Sequence, residues 1–76
     1  MIKELSSVRL KKSIPNREIA VGTRGAVVMI HQANPPAYEV EFFDDQGNTL
    51  EDSKTGEFTF TVKGADIELV DSYGQM

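Results

Sequence analysis

Four groups of residues in the chain have types and spacings that suggest chemistry. Gly22 and Gly25 in "VGTRGAVV" (21–28) resemble the spacing of a loop that cradles phosphate. Glu39 and Glu41 are paired carboxylates two residues apart, formally compatible with glycosidase-type acid–base work. Asp44, Asp45, Asn48, Glu51 and Asp52 crowd oxygen ligands around a glycine turn, as a calcium loop would. His31 is the one histidine.

Each group fails a chemical requirement. A phosphate cradle ends at a helix N-terminus and, in the P-loop, carries a Lys–Ser/Thr pair. Here the residues after Gly25 are Ala26, Val27, Val28, Met29 and Ile30, a β-branched run that suits a strand. "VGTRG" is therefore a turn, with Gly22 in a left-handed conformation and Gly25 allowing a close approach to a neighbouring strand. The calcium reading fails on spacing: Gly47 precedes Asn48, and no Glu closes the loop at its twelfth position. Glu39 and Glu41 read equally well as the solvent side of an alternating strand, in a chain with little room for a sugar cleft. His31 has no marked nucleophile, orienting group or ligand set around it, and reads as a side chain at a hairpin end. The expectation is a non-enzyme with no catalytic residue, no cofactor and no metal.

The elements that must position these residues are strands. "SVRLKKSI" alternates and stops at Pro15, which cannot donate to a ladder. "IPNREIAVGTRG" is a loop with Ile14, Ile19 and Val21 as apolar anchors, and "GAVVMIHQ" is a strand. "NPP" (34–36) is a turn. "AYEVEFFDD" puts Tyr38, Val40 and Phe42 on one face and Glu39, Glu41 and Phe43 on the other. "DDQGN" turns at Gly47, and "EFTFTVKG" puts Phe58, Phe60 and Val62 inward. A turn at Gly64–Asp66 leads to a last strand, Ile67–Val70. Thr49–Gly56 is either a strand extension with a second turn at "SKTG" or a free acidic loop. Five short strands in 76 residues predict an all-β barrel or sandwich, a sheet curled over one core. The expected organisation is a single domain over 1–70 and a loose tail over 71–76.

Composition narrows the partners. There is no Cys, which excludes disulfides and Cys-type zinc sites. No apolar run is long enough for a membrane helix, and the N-terminus has no apolar secretory core, so the expected location is the cytoplasm. Net charge is −4, with +4 over residues 1–36 and −8 over 37–76. Between Glu39 and Glu57 stand seven acids and one base, Lys54, a composition that attracts a basic partner and repels nucleic acid. Arg9, Lys11, Lys12, Arg17 and Arg24 could line an edge that touches RNA. The aromatics Tyr38, Phe42, Phe58 and Phe60, however, fit the core rather than a stacking platform. Phe43 falls on the polar face. It either packs under the long loop or against Ile2 and Leu5, or it is an exposed anchor ringed by acids; Tyr73 is a weaker candidate of the same kind.

Lys3–Leu5, Val8–Leu10, Ile14–Pro15, Gly22–Val28, Tyr38–Phe42 and Asp66–Ile67 together resemble a small bacterial family of uncharacterised SH3-like barrels. The resemblance spans nearly the whole chain and departs at Thr49–Gly56, where the hairpin arm looks longer than usual. It implies a small SH3-like barrel of about five strands and no assigned activity. The resemblance also implies members encoded beside toxin-like proteins, and with them an antitoxin or immunity role. The expected function is binding of a basic, toxin-like protein by Glu39, Glu41, Phe43, Asp44, Asp45, Glu51 and Asp52. The alternatives are a nucleic-acid-binding barrel and an accessory subunit of a larger enzyme.

Overall fold

A computed structural model describes residues 2–70. Residues 71–76, expected as a tail and including Tyr73, lie outside the described residues. The fold is all-β, as expected. Its strands are β1 (Ser7–Leu10), β2 (Arg24–His31), β3 (Ala37–Phe43), β4 (Phe60–Lys63) and β5 (Ile67–Leu69), with a 3-10 turn at Gly64–Asp66. They form one antiparallel sheet in the order β4-β3-β2-β1-β5.

The connection between the edge strands shows that the sheet is curled. In a flat sheet β4 and β5 would lie about 19 Å apart. One 3-10 turn joins them, and such a turn advances only about 8 Å from Lys63 to Ile67. Asp66 stabilises the joint: its carboxylate accepts from the Lys63 amide at 3.1 Å, and its carbonyl accepts from the Lys11 amide at 2.7 Å.

The core is the inward set of the alternating strands: Val8, Leu10, Val27, Tyr38, Val40, Phe42, Phe60, Val62 and Ile67, with Ile19 from the loop before β2. Phe42 and Phe60 meet edge to face with ring centroids 5.7 Å apart, a geometry that suits the ring quadrupoles.

Both glycine expectations hold. Gly22 has φ +97°. A Cβ on Gly25 would stand 2.5 Å from the Glu41 carbonyl oxygen, so only glycine lets β2 lie this close to β3. The Gly64–Asp66 turn also forms where it was expected.

Two apolar assignments are corrected. Phe58 is 54% exposed and precedes β4, because pairing with β3 begins only at Val40↔Phe60. Val21 is 59% exposed, because the turn at Ala20–Thr23 carries it outward and leaves Ile19 and the partly buried Ile14 as the anchors. Thr49–Gly56 takes the first of its two expected forms, a brief strand extension with a second turn, and not that of a free acidic loop, since Asp52 within it is buried. Thr49 bridges Phe43 and the Leu50 amide donates to the Phe42 carbonyl, extending the arm briefly. The amides of Thr55 and Gly56 then donate to the Asp52 carbonyl and close a second turn.

Candidate binding surface

The outer side of β3 carries Glu39, Glu41 and Phe43 in one line, because alternation sends Tyr38, Val40 and Phe42 inward. The line runs off the strand into the exposed turn at Asp44 and Asp45. Five of the seven expected partner-binding residues are thereby contiguous. Glu51 is also exposed, and its carboxylate lies over Gly56 in the second turn of the arm.

Asp52 differs from the expectation. It is buried at 3% exposure. Its Oδ2 accepts from Arg17 Nε at 2.7 Å and its Oδ1 from the Lys54 amide at 2.9 Å. Burial alone would push this carboxyl up; the Lys54 amide and the Arg17 guanidinium outweigh it and hold it below the ordinary aspartate range. Its lone pairs are spent inside the molecule, joining the loop before β2 to the arm before β4. Linear sequence hid this role, since an acid thirty-five positions from its base gives no local signal.

Asp44 stays at the surface, but its carboxylate is committed to its own turn. It accepts from the amides of Asn48 at 2.8 Å and Gln46 at 2.9 Å, and from Asn48 Nδ2 at 3.2 Å. The Asn48 bonds foremost hold it below the ordinary range, so it remains charged but has little freedom to re-aim.

Glu39 is the centre of a cluster absent from the sequence reading. Its Oε2 accepts from Thr61 Oγ1 and lies against His31 Nε2, both at 2.7 Å. Partial burial raises the Glu39 carboxyl, and bonds from Thr61, His31 and Thr59 outweigh it to lower it. A β-bulge makes the contact possible. Val27 pairs with Val40 and Met29 with Glu39, leaving Val28 as an extra residue. Without it, Met29 and His31 would share the inward parity of Val27; with it, both face outward beside Glu39. His31 is thus a hairpin-end side chain, as expected, with a specific carboxylate partner.

The surface is not uniformly acidic. Arg24 stands opposite Phe43 and Arg9 opposite Arg24, and the Arg9 guanidinium pairs with Glu68 at 2.6 Å. Beside Phe43 the surface opens into a groove of about 580 Å³, between the Glu18–Arg24 segment and the Phe43–Leu50 arm. Among the described residues no group of three or more His, Cys, Asp or Glu is placed to hold a metal. No described helix is long and apolar enough to cross a membrane.

No curated protein and no solved structure matches the chain. Residues 4–54 match the family described as Domain of unknown function (DUF4926), a stretch that holds β1 to β3, the glycine turn and every residue of the expected binding surface. The protein belongs to that family of uncharacterised domains.

Proposed function

We propose that this protein is a non-catalytic binding module, an antitoxin- or immunity-type inhibitor that covers a basic partner surface such as that of a toxin nuclease. The reading takes the barrel as SH3-like, the family as bacterial with members beside toxin-like proteins, and the setting as cytoplasmic, as the sequence resemblance implies. One observation carries it: half-buried Phe43 stands in line with Glu39 and Glu41 and borders Asp44 and Asp45. An aromatic side chain edged by charges is the make-up of an interface anchor with a polar rim. The mechanism is occlusion: Glu41, Asp45 and Glu51 pair with Lys and Arg that otherwise hold substrate phosphates, and the acidic field speeds encounter.

The nucleic-acid reading is weaker here. Two of its five bases are engaged within the protein, Arg9 with Glu68 and Arg17 with Asp52. An accessory subunit would use the same surface on a different protein.

The test is capture from host lysate by the tagged chain, washed at low and then high salt, with bound proteins and nucleic acids both identified. A single basic protein, released by salt and lost with the Glu41→Lys/Asp45→Lys variant, supports inhibition through the acidic side. Recovery of nucleic acid, or retention indifferent to the charge reversal, overturns it.

A further inference from the structure

Resting on the protein-binding reading above, we propose that the groove beside Phe43 is the docking slot for a short segment of the partner that presents an arginine or lysine next to an apolar residue. The floor is apolar: buried Ile19 at its back, with half-buried Phe43 and Leu50 on the arm side. The rim is acidic. Glu18 stands on one wall and Asp44 and Asp45 on the other, against one base, Arg24.

Charge complementarity identifies the occupant. Among the described residues neither the Glu18 nor the Asp45 carboxylate has a hydrogen-bond or ion-pair partner, so both can accept from an incoming cation. Asp44 is held by its turn and contributes field from a fixed position. A guanidinium or ammonium on an alkyl stem fits such a site, with the stem on Phe43 and Leu50 and the charge at the rim.

The walls are held apart at a set distance. Arg17 immediately precedes Glu18, and Asp52 follows Leu50 by two residues, so their ion pair ties one wall to the other. The slot therefore exists before the partner arrives, which lowers the ordering cost of binding.

Arg24 gives the proposal a distinctive sign. It lies at the rim across the sheet from Phe43 and carries no ion pair among the described residues. A cationic occupant must displace or tolerate it, so removing its charge should tighten binding.

The experiment is amide NMR of the full chain at low salt, titrated with a capped Gly-Arg-Leu-Arg-Gly peptide and with its Gln-for-Arg analogue. The expected result is saturable shifts at Ala20–Arg24 and Phe43–Gly47 with the Arg peptide alone. Glu18→Gln and Asp45→Asn should each weaken binding about two- to fivefold, as for exposed pairs, and Arg24→Gln should strengthen it by a similar factor. Phe43→Ala should remove it. Shifts centred on Glu39, Glu41 and Thr61 would overturn the slot and leave the acidic-side reading standing. Absence of saturable shifts would also overturn the slot, and the lysate capture would then decide the broader reading independently.

Discussion

Arg17 and Asp52 meet at 2.7 Å through Nε and Oδ2, and this contact joins the two long connections of the sheet, the one between β1 and β2 and the one between β3 and β4. Removing either partner should cost stability, and unequally. Arg17→Ala leaves a buried carboxylate with the Lys54 amide. Asp52→Ala leaves a half-buried guanidinium and also frees the Lys54 amide. Thermal melts should place Asp52→Ala lowest, Arg17→Ala between, and the parent highest. Melts of both variants equal to that of the parent would show that the pair contributes nothing.

The acid limb of stability follows from the same carboxylates. Asp44, Asp52 and Glu39 are held below their ordinary values when folded. A depressed folded pKa adds stability that is complete above the unfolded value and is lost as pH falls through the folded one. Stability should therefore be flat above about pH 5 and fall progressively below it. Denaturant titrations across that range should show a shallower acid slope for Asp52→Asn than for the parent.

Gly25→Ala and Gly22→Ala should separate crowding from strain. At Gly25 a methyl would meet the Glu41 carbonyl at 2.5 Å and the Val40 side chain at 2.8 Å, so the β2–β3 pairing must part. At Gly22 nothing lies within 4 Å, and the cost is the positive φ alone, about 1 kcal/mol or somewhat more. Circular dichroism should show Gly22→Ala folded and Gly25→Ala largely unfolded.

Leu5 offers a change in the opposite direction. It is 81% exposed and has φ +66°, a conformation that disfavours a branched alkyl side chain. Leu5→Asn keeps the hydrogen bond that the backbone amide of residue 5 donates to the Val27 carbonyl and should stabilise by about 0.5–1 kcal/mol. An unchanged or lowered denaturation midpoint would show that the leucine side chain makes a contact worth more than the strain.

Core and surface aromatics should also part company. Phe42→Ala removes a fully buried ring at a cost of about 3–5 kcal/mol. That is a large share of the roughly 4–11 kcal/mol typical of 76 residues. Phe58→Ser should change stability little, because the ring is 54% exposed. Among the acids, Asp45→Lys and Glu51→Lys should leave the melt unchanged, whereas Asp44→Lys should lower it by breaking the Asn48 and Gln46 bonds.

The sequence alone determined the periodic part of this protein. Strict alternation in Tyr38–Phe43 told inward from outward residues, since a strand has only two faces. The β-branched run after Gly25 told a strand from a helix, and with it a turn from a phosphate cradle. The glycines at 22 and 25 marked a left-handed turn and a close approach, because glycine adopts the first without strain and alone leaves room for the second. Tertiary structure decided what depends on partners distant in the chain. Phe58 shares the parity of Phe60 but has no strand to pair with, so alternation misplaced it. The bulge at Val28 turned His31 toward Glu39, a register event that leaves no trace in a uniformly apolar run. Asp52 read as one more surface acid and is the buried partner of Arg17, because only folding brings their two loops together and a buried charge persists only where its counter-charge meets it.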